Sequence, residues 1–379
     1  MPAYLQLGHH SFNLVKEFGS LFKGAIISPV NSTHDEVIKH MNNNVPEGYE
    51  WIFDPQLYNP RSDRGKLTRW DYYPDNIDTA DLSSLQWWRS LVNKLAKRVE
   101  LIKQSAVCSP LILPKRYDLK YYELIVEVSN NLSSLLEDRS IDVVQSAIVN
   151  IHSLSDYEES YRTAGMLSKT NSQRLYIIFD SNLHLKMPFA DSREIVGAML
   201  LINSLIKSGL EVLVGYSSHD VILWKYAGAD SCASGKFFNL RRFTKSRFET
   251  PPEGGGQIPY WFDESLLTVL RTNDLLRLIR NDMISDISKN DQYYKEVRMK
   301  IEKGKPWLAT SWRQYLRWFA NFINRRSSKV DIKKIIKNAD NKWEEIEERG
   351  VLFDERFNNG EWVRAWRIAI EEYDEMVME

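Results

Sequence analysis

Two carboxylates in this sequence come directly after short apolar runs. Asp54 follows Ile52 and Phe53, and Asp180 follows the run Leu175–Phe179. A carboxylate at the end of a buried strand is partly removed from water, and burial raises its pKa toward the range that suits proton transfer. We therefore predict that Asp54 and Asp180 act as acid/base groups or nucleophiles. The alternatives are a turn at Asp54-Pro55 and a helix cap at Asp180.

His152 is the third catalytic candidate, because it follows the apolar run Ala147–Ile151. An imidazole in this position can act as a general base or can hold a loop through hydrogen bonds. Asp220 comes after Ser217-Ser218-His219, where a carboxylate is typical of a helix N-terminus. We expect Asp220 to cap that helix rather than to take part in catalysis.

A burst of positive charge late in the chain is the strongest binding signal. Basic and aromatic residues alternate in it: Lys236, Phe237, Phe238, Arg241, Arg242, Phe243, Lys245, Arg247 and Phe248. The arginine fork donates two hydrogen bonds to a phosphate, and aromatic rings can stack on a base. We predict that Lys236, Arg241 and Arg242 contact a phosphate or a nucleic acid. The alternatives are a solvated charged face and aromatic residues that only anchor the loop.

Other polar residues also follow apolar runs, and these form the rest of the candidate site. They are His9, His10, Asn31, Lys115, Arg116, Tyr216 and His219. Among them we predict that the last four, Lys115, Arg116, Tyr216 and His219, contact the substrate.

Eight short apolar runs alternate with segments of helical periodicity. The runs are Ala3–Leu7, Gly24–Ser28, Glu50–Phe53, Leu111–Leu113, Ala147–Ile151, Leu175–Phe179, Val212–Val214 and Ala229–Ser234. Strands that are apolar throughout indicate a parallel sheet covered on both faces, and eight such units close into a (β/α)8 TIM barrel. A doubly wound open sheet is the alternative. In a barrel the site lies at the carboxyl ends of the strands, and the loops after strands seven and eight commonly hold phosphate.

The chain changes character after residue 249. Pro251-Pro252-Glu253-Gly254-Gly255-Gly256 is typical of a linker or a loop, and the remainder is charged, helical in pattern and rich in tryptophan. We predict a barrel over residues 1–249 and an α-helical C-terminal region over residues 250–379. Its tryptophans should fill a small core or an interface, including one with a protein partner. They are Trp261, Trp307, Trp312, Trp318, Trp343, Trp362 and Trp366.

Composition narrows the function classes. The formal net charge of −1 over 379 residues means that any nucleic-acid-binding surface must be local. Cys108 and Cys232 provide neither a disulfide framework nor a zinc quartet, and we expect no metal and no cofactor. No apolar run approaches the roughly 18 residues that span a membrane, and a signal-peptide pattern is lacking. We expect a cytoplasmic protein that does not contact the membrane.

The last two predicted βα units resemble the tRNA-guanine transglycosylase superfamily, which includes enzymes that exchange guanine in DNA for 7-deazaguanines. The shared order is Gly215, a polar loop, Asp220, an apolar helix, and then Gly228-Ala229-Asp230 before Arg241-Arg242. Earlier, Trp51-Ile52-Phe53-Asp54 is similar to the strand whose terminal Asp is a general acid/base in that family. Gly24–Ser28 with Asn31 is similar to its second strand.

This chain departs from the family pattern in three places. The Gly-rich segment after strand three is replaced by Asp54-Pro55-Gln56-Leu57-Tyr58. The family's nucleophilic Asp of strand eight falls near Ala233, which leaves Asp230 or Asp180 for that role. The family's zinc ligands have no counterpart. The resemblance therefore implies the barrel fold, with Asp230 as a substrate contact, more firmly than it implies transglycosylation.

Two main function classes stay open at this point. One is an enzyme that acts on a nucleobase or nucleotide through Asp54 and Asp180. The other is a non-catalytic barrel that binds nucleic acid or a protein partner within a modification or defence system. A flavin or sugar-phosphate barrel enzyme is a third. Two carboxylates converging in an open pocket at the barrel mouth would favour catalysis, whereas a mouth filled by aromatic side chains would favour binding.

Overall fold

The computed structural model describes residues 1–42, 45–60, 65–75, 77–78, 80–102, 104–249 and 257–378. Eight parallel strands close into a barrel in chain order, with β1 pairing with both β2 and β8. They are β1 (Ala3–Gln6), β2 (Gly24–Ile27), β3 (Glu50–Phe53), β4 (Ala106–Cys108), β5 (Asp142–Asn150), β6 (Arg174–Asp180), β7 (Glu211–Val214) and β8 (Ser231–Ser234). The predicted (β/α)8 barrel is thus confirmed.

Each of the first seven strands is followed by a helix. The helices are α1 (Phe12–Phe18), α2 (His34–Met41), α3 (Leu85–Ile102), α4 (Leu119–Leu136), α5 (Tyr157–Leu167), α6 (Ser192–Lys207) and α7 (Val221–Ala227). Three of them begin at an aspartate whose carboxylate accepts a hydrogen bond from a backbone N–H of the first turn: Asp118, Asp156 and Asp191. Such N-caps satisfy donors that the helix itself leaves free.

The fourth strand does not lie where the sequence pattern placed it. We predicted Leu111–Leu113, but β4 is Ala106–Cys108, and Leu113 instead donates its backbone N–H to the carbonyl oxygen of Tyr58. Pro110 and Pro114 flank the predicted run, and proline cannot donate to a strand ladder. Lys115 and Arg116 therefore lie within the loop between β4 and α4 rather than at the end of a strand.

The C-terminal region begins with a small antiparallel hairpin that the sequence pattern did not predict. Its strands are β9 (Trp261–Asp263) and β10 (Thr268–Leu270). The helices that follow are α8 (Thr272–Arg280), α9 (Asp286–Lys289), α10 (Tyr294–Glu302), α11 (Leu308–Asn324), α12 (Lys329–Glu348) and α13 (Glu361–Met378). Six of the seven tryptophans are buried, and only Trp312 is partly exposed. The tryptophans therefore belong mainly to a core, and a protein partner for this region stays a prediction.

The C-terminal region is packed directly on the barrel. Helix α11 contacts β1 and β8, and α13 contacts α6. Lys225, near the end of α7, donates hydrogen bonds to the carbonyl oxygens of Phe322, Ile323 and Arg325 at the C-terminus of α11. That helix end carries partial negative charge, so the ammonium group is matched to it. The predicted boundary at residues 249/250 falls at the edge of the described residues. The predicted linker Pro251–Gly256 lies outside them.

None of the described helices is long and apolar enough to cross a membrane.

His219, in the loop after β7, is buried between the barrel and the C-terminal region. Burial, followed by the charges of two nearby arginines, lowers its pKa to about 3. The imidazole is therefore neutral. Because its side chain is buried, a ligand in solvent does not reach it. Aromatic rings surround it: Phe262, Trp362 and Trp366.

His219 should make folding sensitive to acid. The folded pKa is about 3 and the ordinary value is 6.5, so the unfolded chain takes up a proton that the folded chain excludes as the pH falls through this window. The free energy of unfolding should decrease on acidification below about pH 6.5, and less steeply in His219→Phe. Urea denaturation at a series of pH values measures both slopes. Equal slopes for the two proteins would remove His219 from this role.

Candidate functional site

Asp54 lies at the carboxyl end of β3 and is only 1% exposed. One carboxylate oxygen accepts a hydrogen bond from the Tyr58 hydroxyl at 2.8 Å, and the other accepts one from the backbone N–H of Gln56 at 3.0 Å. Burial raises the pKa of Asp54 to about 6, against the lowering effect of these hydrogen bonds and of Arg247. A carboxyl group with this pKa is present in both protonation states close to neutral pH.

Aromatic rings close the barrel mouth around the Asp54–Tyr58 pair. Tyr58 meets Phe248 and Phe243 edge to face, with ring centroids 4.8 and 5.5 Å apart, and Tyr216 meets Phe243 at 5.5 Å. All four rings are buried. Both phenylalanines belong to residues 235–249, here named the β8 loop. The mouth is filled rather than open, which favours binding over catalysis.

Tyr216 adopts a left-handed backbone conformation, with φ of 51°, directly after Gly215. Glycine is required at 215, because a Cβ there would lie 2.2 Å from the ring of Tyr176, which occupies the barrel interior. This turn places the Tyr216 ring beneath the β8 loop. Arg247 of that loop lowers the pKa of both Tyr216 and Asp54, although burial dominates and raises both. Tyr216 is therefore part of the closed mouth.

Asp180 forms a separate pair at the end of β6. Its carboxylate accepts a hydrogen bond from the Tyr117 hydroxyl at 2.5 Å and lies 3.1 Å from the Lys245 ammonium of the β8 loop. Within the described part of the chain, no hydrogen bond or ion pair joins Asp180 to Asp54. Each of the two predicted catalytic carboxylates thus has its own tyrosine partner, and a shared catalytic role stays a prediction.

His152 lies in the turn after β5 and pairs with Glu194 in the first turn of α6. The distance from its Nδ1 to the Glu194 carboxylate is 2.6 Å, and the backbone N–H of Asn182 lies 3.5 Å from its Nε2. These contacts join the loops after β5 and β6. They correspond to the loop-holding role, and a role in catalysis stays a prediction.

The two arginines predicted to clamp phosphate have partners within the protein. Arg241 donates to the carbonyl oxygens of Gly235 and Lys236, each at 2.9 Å, and its guanidinium lies 3.4 Å from the ring centre of Tyr315. Burial lowers the pKa of Arg241 to about 10, and no described carboxylate offsets this effect. Arg241 is thus a buried cation without an acidic partner.

Arg242 differs from Arg241 in having a carboxylate nearby. Its guanidinium lies 3.7 Å from the Asp220 carboxylate and 3.8 Å from the ring centre of Phe189. Asp220 occupies the predicted N-cap position of α7, but its side chain makes no cap hydrogen bond to the helix and instead accepts one from the backbone N–H of Ser218, before the helix. These contacts assign Arg242 and Asp220 to holding the loops after β7 and β8, so a phosphate contact by Arg242 stays a prediction.

Lys236 is the second buried cation of the β8 loop and is 5% exposed. Its ammonium lies over the rings of Phe237 and Trp312, at 4.5 and 4.9 Å from their centres, and donates one hydrogen bond to the carbonyl oxygen of His10. Burial lowers its pKa to about 8. No carboxylate among the described residues pairs with it.

Lys236 and Arg241 line one pocket of about 290 Å³ between the β8 loop and the C-terminal region, here named the strand-8 pocket. Lys186 and Arg271 also line it, and both bind the carboxylate of Glu355, at 2.7 and 2.8 Å. Among the described residues, Lys186 and Arg271 thus share one carboxylate, whereas Lys236 and Arg241 pair with none. Its aromatic walls are Phe237, Phe238, Tyr260 and Trp312.

A larger cleft of about 700 Å³ lies between α3 and α4. Its walls are apolar, with Trp88 and Tyr121 among them, and it reaches Tyr58 at the barrel mouth. The lysines at its rim are balanced by an equal number of glutamates: Lys115, Lys120, Lys245, Glu123, Glu127 and Glu249. Lys115 therefore lies apart from Lys236 and Arg241, and Arg116 is exposed beside it.

Asp230 lies at the other end of the barrel. It precedes β8, and its carboxylate accepts the backbone N–H of Val212 at the start of β7. A residue that comes before a parallel strand lies at the amino-terminal end of the barrel, so Asp230 is at the end opposite to the candidates that follow strands.

The described His, Cys, Asp and Glu side chains form no group of three that could hold a metal ion.

Comparisons with known proteins leave the family open. No protein-family model matches the chain, and no curated protein sequence matches it. An AP endonuclease of family 2 from Brucella melitensis aligns over 65% of this chain and 96% of its own, at 12% identity and a TM-score of 0.38. The 2,3-dimethylmalate lyase of the PEP mutase/isocitrate lyase superfamily aligns over 61% and 73%, at 11% identity and 0.35.

Neither similarity bears on the function of this chain at such values. Neither structure is described as a transglycosylase, and the resemblance to that superfamily stays a prediction.

Inorganic phosphate should stabilise the protein through the strand-8 pocket. A ligand that binds only the folded chain raises Tm, so phosphate should raise the Tm of the wild type. The increase should be lost in Lys236→Met, which keeps an apolar stem but removes the ammonium, and kept in Lys97→Met, an exposed position on α3. Chloride at matched ionic strength controls for screening. The same increase in all three proteins would contradict a phosphate site at Lys236.

Proposed function

We propose that this protein binds a nucleotide, free or within a nucleic acid, and holds its phosphate in the strand-8 pocket. The observation that carries the proposal is the pair of buried cations, Lys236 and Arg241, that line one pocket and have no carboxylate partner among the described residues. A buried charge without a counter-charge costs several kcal/mol, and a bound phosphate would offset that cost. The loop after strand eight is also a common phosphate site in (β/α)8 barrels.

The walls of the strand-8 pocket suit the rest of a nucleotide. Trp312 and Phe237 flank the Lys236 ammonium, and aromatic faces next to a cation are the usual means of holding a base together with its phosphate. Trp312 is the tryptophan of the C-terminal region that is not fully buried, so part of its ring is accessible. The volume of about 290 Å³ is at the small end of the roughly 300–1,000 Å³ typical of ligand sites.

We further propose that binding occurs without chemical turnover. Asp54 is enclosed by Tyr58, Phe243 and Phe248, and both of its oxygens are already hydrogen-bonded. A general base must reach the proton that it removes within about 3 Å, directly or through one water. The strand-8 pocket itself is lined by cations and aromatic rings, and Asp54 and Asp180 are not among its lining residues.

A transglycosylase-like enzyme is the second candidate, and the raised pKa of Asp54 favours it. A carboxyl with a pKa of about 6 beside Tyr58 and Arg247 is suited to proton transfer. This function would require the β8 loop to leave the mouth. Asp54→Asn should then abolish turnover of a nucleic-acid substrate and leave the fold intact.

Titration calorimetry with adenosine monophosphate tests the binding proposal. We expect affinity to fall about tenfold or more in Lys236→Met, since a charge-assisted hydrogen bond contributes about 1.5–3 kcal/mol. Asp54→Asn should bind as the wild type does, and affinity should decrease with salt concentration. Adenosine, which lacks the phosphate, should bind equally weakly to wild type and Lys236→Met.

Two results would contradict the proposal. Equal affinity of wild type and Lys236→Met for the nucleotide would remove the strand-8 pocket as its site. The second result is a nucleotide or nucleic acid that is chemically altered after incubation with wild type but not with Asp54→Asn. This result would show turnover and would support the enzymatic candidate instead.

A further inference from the structure

A second polar pocket lies directly beside the strand-8 pocket. It has a volume of about 420 Å³ and is formed by the loop after β1 and by the loop after β2 and helix α2; we name it the histidine pocket. Its polar and aromatic lining includes His9, His10, Phe12, Asn31, His40 and Lys66. The sequence pattern marks His9, His10 and Asn31 as strand-end residues, and their side chains do not line the strand-8 pocket.

The two pockets meet at His10. Lys236, from the strand-8 pocket, donates its hydrogen bond to the carbonyl oxygen of His10, which lines the histidine pocket. The pKa of His9 is lowered, first by burial and then by His10, by Lys236 of the strand-8 pocket and by Lys66 of the histidine pocket. The lowered pKa leaves His9 neutral, and Lys66 is paired with Glu36 of the same pocket, so the two pockets are joined by their shared contact at His10 rather than by continuous charge.

Each pocket combines a cation with an aromatic pair. In the strand-8 pocket these are Lys236 and the rings of Phe237 and Trp312. In the histidine pocket Phe12 and His40 stack with ring centroids 4.2 Å apart and planes 12° apart, and both rings are partly exposed. Lys66 is the lysine of that pocket, and Glu36 binds it at 2.6 Å.

We infer that the ligand is a single-stranded oligonucleotide that places consecutive nucleotides in the two pockets. This inference rests on the proposed function, because it extends the same phosphate site. Alternating aromatic platforms and cations are what single-strand sites use, since each unpaired base offers a ring face and each phosphate a charge. A duplex hides its base faces in the stack and presents only their edges and the backbone.

The α3–α4 cleft does not continue this track. It is lined by α3, α4, the loops after β3 and β4, and Lys245 and Glu249 of the β8 loop, and it shares no lining residue with the strand-8 pocket or the histidine pocket. A strand that leaves the strand-8 pocket past His10 therefore meets the histidine pocket next. The track should accept DNA and RNA alike, because the chemistry that defines it is the phosphate and the base face.

Fluorescence anisotropy with 5′-labelled oligothymidylates and oligouridylates tests the inference. Affinity should increase about tenfold from the mononucleotide to the dinucleotide, because a second base is stacked. The double variant His9→Ala/His40→Ala, on two solvent-accessible side chains, should remove that increase and leave mononucleotide binding unchanged. Lys236→Met should weaken ligands of every length. Lys97→Ala, on the outer surface of α3, serves as the matched control.

The outcomes separate this inference from the proposed function. If the mononucleotide binds through Lys236 but longer strands gain nothing, or gain equally in the double variant, the second nucleotide position is excluded and the phosphate site stands. If the mononucleotide itself binds independently of Lys236, the proposed function fails as well. If a duplex of the same length binds as tightly as the single strand, the inference that the site binds exposed base faces is overturned.

Discussion

The interaction on which the site depends is the burial of Lys236 and Arg241 without an acidic partner among the described residues. Both side chains are held by carbonyl oxygens and aromatic rings, which come from the β8 loop, from His10 after β1 and from α11 of the C-terminal region. Carbonyl dipoles and ring faces stabilise a cation, but they do not neutralise it. The C-terminal region therefore does more than extend the fold: Trp312 and Tyr315 on α11 complete the environment of both charges.

The same loop closes the barrel mouth. Along the β8 loop, Lys236 and Arg241 lie in the strand-8 pocket, Phe243 and Phe248 cover the Asp54–Tyr58 pair, and Lys245 reaches Asp180. One segment thus supplies the charge of the open pocket and the aromatic residues of the closed one. The proposed function therefore puts the ligand at the rim, where β8, β1 and α11 meet, rather than on the barrel axis.

The barrel and the position of its basic loop could be predicted from the sequence, because strand periodicity and strand order are local properties. The burial of Asp54 at a strand end followed from the same pattern. Strand four was misplaced, because the bulkier apolar run Leu111–Leu113 between two prolines was chosen over the equally short strand Ala106–Cys108 before it. Trp312 and Glu355 could not be assigned to the site, since they reach it from more than 70 residues away along the chain. The sequence also could not distinguish the two neighbouring arginines. Both are buried, but Arg242 lies beside Asp220, whereas Arg241 contacts none of the described carboxylates.

The most direct test of the central claim is a crystal structure of the protein with a bound mononucleotide. The account predicts phosphate oxygens within hydrogen-bonding distance of the Lys236 ammonium, the base against Trp312 or Phe237, and the rings of Phe243 and Phe248 still covering Asp54. A nucleotide bound instead in an opened mouth, with its sugar or base on Asp54, would contradict the account and would establish the barrel axis as the functional site.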